Sequence, residues 1–404
     1  MFIIAGCTGI GKTEIANLLS KKYSLLLISC DSIQIYKDMN IGSNKGTSNT
    51  NHSLIDISCW KERFNLYKFE QKLLEILNEN KDNKIPCIVG GTGLYLINIQ
   101  SEYKIEYVNN KRYTNTMESK DISNRYINTM DSNDISNRYI NTMESNDINN
   151  NRSINTMESN DISKSKYIDN KNNEYINDKE SKDISNNNYI SNEFNYLGNK
   201  IIKCNFKFFL TTKREILYRK VDKRCEEMIL NGFLYEIITL YFEGLNDNYI
   251  SGRSIGYRDG LDFINKLYQR IKEHSFDKSE IFQDLGYFVE NFKEFLEIFK
   301  RKTRNYIARQ ECWYKNRGYI WIDCSKYNAY DIISKCIEYL TDKNLNFNEI
   351  DCFLKDIHKN SIEVNKNSFK LLKRYNSNNE CFNNNFNFDK FIKDLIEKLI
   401  NFNK

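Results

Sequence analysis

The run Gly6-Cys7-Thr8-Gly9-Ile10-Gly11-Lys12-Thr13 follows the apolar stretch Phe2 to Ala5 and leads into the helical pattern Glu14 to Leu19. A glycine-rich loop between a strand and a helix is a P-loop. Its glycines let backbone N–H groups turn inward on phosphate oxygens, Lys12 adds a mobile positive charge, and the Thr13 hydroxyl is placed to ligate Mg²⁺. The motif identifies a phosphate site without saying which phosphorylated ligand it takes.

Further apolar runs set the class. Leu25 to Ser29 and Ile85 to Val89 read as buried parallel strands, with helices expected near Glu14 to Lys22 and Phe69 to Asn80. The result is a βαβ series. The single proline, Pro86, stands at a strand start, where a missing N–H is tolerated. The fold class expected is α/β: a P-loop NTPase-like parallel sheet with flanking helices, a helical region and a long low-complexity insertion.

From about Ser101 to Asn195 the composition shifts to Asn, Ser, Asp, Ile and Tyr, and Met117, Met130, Met143 and Met157 mark successive copies of one unit. A repeat so short and polar cannot bury a core, so the tract is expected to be disordered or weakly ordered, with a short helical or β stack as the alternative. Order resumes with a strand over Ile201 to Leu210, an amphipathic helix over Lys213 to Tyr241 broken at Asn231-Gly232, a long helix from Tyr287 to Lys315 and a strand at Tyr319 to Ile322. The expected organisation is a core over 1–100, the repeat insertion over 101–199, a helical region over 200–325 that returns to the sheet, and over 326–404 a helix at Asp331 to Leu340 followed by an Asn-rich tail.

The 404 residues carry 11 cysteines at scattered positions and a net charge of +5. Unpaired spacing argues against a zinc ribbon or a secreted disulfide scaffold and for a reducing compartment. No segment is apolar enough to span a bilayer. The charge is uneven: Lys300, Arg301, Lys302, Arg304, Arg309, Lys315 and Arg317 face the single acid Glu311. That density suits a polyanion, and a solvated basic helix face is the plainer reading.

Asp31-Ser32-Ile33-Gln34 follows the second strand and Gly90-Gly91-Thr92-Gly93 the third, so both loops fall at the carboxyl edge beside the P-loop, where doubly wound sheets bind ligands. Asp31 can assist Mg²⁺ or act as a base; taken alone, it reads first as a turn or N-cap aspartate with Ser32. Thr92 offers a hydroxyl and an N–H at a helix start.

Taken together, the P-loop, Asp31 to Tyr36, Ile41 to Lys45, His52 to Ile57, Ile85 to Tyr95, Ser254 to Arg258 and Thr303 to Tyr314 occur in the order seen in tRNA dimethylallyltransferases. The chain strongly resembles that family over roughly residues 1–100 and 201–325. The resemblance implies transfer of a dimethylallyl group from dimethylallyl diphosphate to N6 of the adenosine next to a tRNA anticodon, with diphosphate released. It implies that Gly6, Thr8, Gly9, Gly11, Lys12, Thr13 and Arg224 hold the diphosphate, with Thr13 placing Mg²⁺. Lys12 and Arg224 would neutralise the leaving group, and Asp31 would be the base. Asp31, Ser32, Ile33, Gln34, Thr92, Arg253, Gly256, Tyr257, Arg258, Arg304, Arg309, Gln310 and Trp313 would touch the tRNA. Tyr257, Tyr306 or Trp313 would stack on an unpaired base, although Tyr306, Gln310 and Trp313 share a helix face that could equally point to the core.

The family's small helical subdomain after the Gly90 loop is replaced by the repeat tract, so part of the usual tRNA clamp is expected to be missing. No zinc finger is expected, because Cys336, Cys352, His358 and Cys381 lack ligand spacing. The expected partners are tRNA and dimethylallyl diphosphate, with no membrane and a monomeric chain. The expected compartment is the cytoplasm, or a mitochondrion or plastid should an N-terminal leader precede this sequence. Two other readings stay open: a P-loop kinase of a small metabolite, and a tRNA-binding relative without turnover.

Overall fold

The computed structural model describes residues 1–45, 52–97, 99–101, 203–341, 347–368, 375, 377 and 379–402. These fall in one compact unit. Apart from Ser101, the repeat tract lies outside the described residues.

The chain order is β1 (Phe2–Gly6), α1 (Lys12–Lys22), β2 (Leu25–Cys30), α2 (Leu66–Asn78), β3 (Ile85–Gly90), α3 (Gly93–Ile97) and β4 (Gln100–Ser101). After the insertion come β5 (Lys203–Cys204), β6 (Phe206–Thr211), α4 (Arg214–Leu230), α5 (Phe233–Phe242), α6 (Tyr257–Glu273), α7 (Lys278–Gln283), α8 (Leu285–Tyr314) and β7 (Ile320–Asp323). The chain ends with α9 (Ala329–Thr341), α10 (Phe347–Ser368) and α11 (Phe388–Phe402).

The main sheet has the order β2-β3-β1-β6-β7 and is parallel throughout. Every residue of β1 and of β6 is buried, because helices cover both faces of a parallel sheet. The single strand expected over Ile201 to Leu210, whose first two residues lie outside the described residues, is not continuous. The segment instead splits at Asn205, where the short β5 pairs in parallel with β4. This pair brings the chain on either side of the insertion together, so the sheet order is kept across the repeat tract.

The long helix, its return to the sheet through β7, and the break at Asn231-Gly232 all stand where the apolar periodicity placed them. The Asn-rich tail carries more regular structure than its composition suggests. Helices α10 and α11 occupy much of the Asn-rich tail, and α11 buries Ile392, Leu395, Ile396, Leu399 and Ile400 against α8, α5 and α6. That apolar stripe has helical spacing, and its burial outweighs the helix-poor composition around it.

Candidate active site at the carboxyl edge of the sheet

The P-loop leaves β1 and closes onto α1, with Gly11 in the left-handed region as the helix begins. At Gly9, φ is +78° and an added Cβ would lie 2.9 Å from Val221 Cγ1, so a side chain would be strained and would collide with α4. That contact seats α4 on the loop. Three residues further along α4, Arg224 donates from its terminal guanidinium nitrogen to Thr8 Oγ1 at 3.1 Å. Lys12 Nζ donates to Cys7 O at 2.9 Å.

Asp31 follows β2. Its Oδ1 accepts from Ile33 N–H at 2.8 Å and Gln34 N–H at 3.3 Å, which is the turn-capping role. Among the described residues both of these bonds engage Oδ1, so the turn fixes the carboxylate without using Oδ2. The third loop is joined to the second by Ser32 N–H, which donates to Thr92 Oγ1 at 3.0 Å.

Electrostatics tie these residues to one locus. Burial lowers the Lys12 pKa to about 8; Arg224 adds to the shift, while Cys7 and Asp31 oppose it. Burial also lowers Arg224, again against Asp31. Tyr306, on α8, is raised by burial and then by Asp31. The Asp31 carboxylate is thus felt by both cations of the loop and by the ring of α8 that faces them.

Helix α8 closes the site from above. The Gln310 carboxamide accepts from Thr8 N–H at 2.8 Å and donates to Gly91 O at 3.2 Å, while Tyr306 OH donates to Gly91 O at 3.4 Å. At Gly91 an added Cβ would sit 2.4 Å from Gln310 Nε2, and at Gly93 2.9 Å from the Trp313 ring. Glycine in the third loop therefore lets α8 approach. The helix is anchored by Glu311, which accepts from Arg214 Nε at 2.8 Å in a buried pair and is raised by that burial despite the guanidinium.

Several residues expected to touch RNA have other work. Tyr257 is fully buried and donates to Glu236 Oε1 at 2.6 Å, and the same carboxylate accepts from the amides of Asn40, Ile41 and Gly42. It pins the loop after Tyr36 and offers no face to a base. An added Cβ at Gly256 would lie 2.7 Å from Phe299, so this glycine serves packing. Gln34 donates to Ser43 O and Asn44 O and accepts from Ser29 Oγ. Gln310 is 3% exposed and is a strut between loops. Ile33 is half-buried against the core.

Part of the basic stretch is also neutralised. Lys300 is buried against Glu226, Lys302 pairs with Asp259 at 2.7 Å, and Arg304 pairs with Asp222 at 2.5 Å. Neither a polyanion surface nor a solvated face describes Lys300 and Arg304, whereas the Lys302 side chain is half-exposed. Arg253 and Arg258 are exposed, although Arg253 Nε donates to Asp247 O. Arg309 is half-buried, its guanidinium lies 5.7 Å from the Tyr306 ring centroid, and its buried Nε has no hydrogen-bond partner among the described residues. Glu236 and Asp222, which organise two of these clusters, carried no signal in the sequence because their partners lie far along the chain.

Thr13 is exposed at the first turn of α1. Among the described residues no cluster of His, Cys, Asp and Glu could by itself hold a metal ion, and no helix is long and apolar enough to cross a membrane.

The family model described as IPP transferase matches residues 34–317, beginning past both the P-loop and Asp31. A protein named tRNA dimethylallyltransferase from Finegoldia magna is 30% identical over 84% of this chain and 98% of its own length. One of the same name from Clostridioides difficile is 26% identical over 85% and 97%. Among solved structures, a tRNA isopentenylpyrophosphate transferase from Staphylococcus epidermidis covers 84% of this chain and 99% of its own at 21% identity and a TM-score of 0.48. The extent of the family match and the near-complete coverage of the Finegoldia relative agree with the loop arrangement above, and the chain belongs to the IPP transferase family.

Proposed function

We propose that the protein transfers a dimethylallyl group from dimethylallyl diphosphate to the exocyclic N6 of the adenosine next to a tRNA anticodon. The observation that carries this reading is the convergence of Lys12, Arg224 and Asp31 on one locus, with Arg224 bonded to the P-loop hydroxyl of Thr8. The loop amides hold the diphosphate, and Lys12 with Arg224 stabilises charge that grows on it as the allylic C–O bond breaks. The allylic carbon becomes cationic, N6 attacks it, and the N6 proton passes to Asp31, whose Oδ1 is already fixed by the Ile33 and Gln34 amides.

Exclusion of water falls to α8, whose Tyr306 and Gln310 are bonded to Gly91 and whose Trp313 lies against Gly93. Adenine N6 is out of reach inside a stack, so the base is extruded to meet Asp31. Exposed Arg253 and Arg258, with half-buried Arg309, are the groups suited to RNA phosphates.

Thr13 fits Mg²⁺ as a hard oxygen donor, since this ion takes one or two protein oxygens and completes its shell from phosphates and water. When bound it supplies charge neutralisation on the diphosphate. The working place of the protein is wherever tRNA and the prenyl donor meet, and the cytoplasm satisfies that condition.

Incubation with labelled dimethylallyl diphosphate and tRNA, and in parallel with labelled ATP and small acceptors, tests the reading. Label on tRNA from the prenyl donor supports it. Label moving only from ATP would overturn it in favour of a kinase, and tRNA binding with no transfer would overturn it in favour of a relative without turnover.

A further inference from the structure

Asp222 and Glu226 stand one turn apart on α4, with side chains 2% and 0% exposed. Buried carboxylates need donors for their remaining lone pairs. Helix α8 supplies one cation to each, Arg304 to Asp222 Oδ1 and Lys300 to Glu226 Oε1, both at 2.5 Å. The remaining donors come from the C-terminal segment. Tyr375 OH and Ser377 Oγ each donate to Asp222 Oδ2 at 3.0 Å. The backbone amides of Glu380, Cys381 and Phe382 donate to Glu226. Asn379 Oδ1 accepts from Lys300, and the Arg304 guanidinium lies 5.4 Å from the Tyr375 ring centroid. The segment therefore crosses the seam between α4 and α8 and is bonded to both helices.

Arg224 lies between the two carboxylates in sequence and, at about 100° per residue, roughly half a turn away from them around α4. The tail grips the back of the helix whose front presents Arg224 to Thr8. Farther along α8, Gln310 reaches Thr8 N–H and Gly91 O. We propose that the C-terminal segment bearing Tyr375, Ser377 and the Glu380 to Phe382 amides is a strap that positions Arg224 over the P-loop. Arg224 reaches Thr8 at the end of a long side chain, so a sub-ångström shift of α4 is enough to spoil its alignment on a diphosphate. The residues of the strap are positioning residues, remote from the reacting atoms. This assignment rests on the diphosphate-binding reading above.

The test is a double-mutant cycle read by calorimetric binding of inorganic diphosphate, which requires no prenyl transfer. The variants are Tyr375→Phe with Ser377→Ala, Arg224→Ala, and all three changes together. The strap pair is expected to weaken diphosphate binding roughly threefold to tenfold, the scale of one or two lost hydrogen bonds. In the Arg224→Ala background it is expected to add nothing, because the strap acts through Arg224. Ser377→Ala alone, a milder change, should show part of the loss, and Ser377→Thr should restore it. Parental affinity in the strap pair, or losses that multiply in the triple variant, would overturn the strap while leaving the proposed function standing. No diphosphate binding by the parent would remove both.

Discussion

Gln310, near the end of α8, accepts a hydrogen bond from the backbone N–H of Thr8 at 2.8 Å, so a helix contributed by the second half of the chain holds a P-loop amide in place. The same carboxamide donates to Gly91 O at 3.2 Å. One planar group thereby fixes the spacing between the phosphate loop and the loop after β3, and a glycine at 91 is what lets it come so near.

Replacing Gln310 with Leu keeps the volume and removes both bonds. Thr8 N–H loses its acceptor while Gly91 O keeps Tyr306 OH, so the variant is expected to lose about 1–3 kcal/mol and to bind diphosphate more weakly. Denaturant unfolding and calorimetry check the two effects. Unchanged stability would mean the strut is dispensable.

Arg224→Lys keeps a charge but loses the planar fork and the bond to Thr8. Single-turnover transfer is expected to fall by roughly 10² to 10³ with tRNA affinity preserved. Parental rates in this variant would place leaving-group stabilisation elsewhere.

With its pKa lowered to about 8 by burial, Lys12 loses its proton well below the range of a free lysine. An anionic ligand favours the charged form, so diphosphate affinity is expected to be flat below about pH 8 and to fall above it, with proton uptake on binding in that upper range. Calorimetry in buffers of different ionisation enthalpy measures the uptake, and Lys12→Met should abolish it. The unfolded lysine titrates near 10.5, so between about 8 and 10.5 the unfolded chain holds more protons and this group makes stability rise with pH.

The same sense holds at His358, in the acid range. Its Nδ1 accepts from Trp321 N–H at 3.1 Å beside β7, and burial lowers its pKa from 6.5 to about 4. His52, whose ring nitrogen lies 3.0 Å from Asn17 Oδ1, is lowered by burial over the same range. Below about pH 6.5 the unfolded state takes up protons that the folded state refuses, so stability is expected to fall progressively toward pH 4. Urea unfolding across that window checks the slope, and His52→Asn should remove part of it.

What the sequence disclosed was local. Gly9, Asp31 and Thr92 sit in loops whose chemistry is written in adjacent residues, and β1, β2 and β3 are apolar runs short enough to read as strands. The roles that it concealed depend on partners distant along the chain. Tyr257 is consumed by Glu236, Arg304 by Asp222 and Lys300 by Glu226, so residues that looked available for RNA are internal fasteners. A charge run shows its own sign and not its counterions. Helices α6 and α11 did carry a signal, in Leu261, Ile264, Leu267 and Ile271 and in Ile392, Leu395 and Leu399, each spaced for one buried face.

The central claim is that Asp31 takes the N6 proton at a diphosphate site built by Lys12 and Arg224. Nucleoside mass spectrometry of tRNA after a single turnover, run beside donor-binding calorimetry on the parent and on Asp31→Ala, tests it most directly. The account predicts a dimethylallyl-modified adenosine next to the anticodon from the parent, almost none from Asp31→Ala, and donor affinity within about twofold between the two, a difference below 0.5 kcal/mol. Product from Asp31→Ala at the parental rate, or donor binding that collapses with the carboxylate, would contradict it.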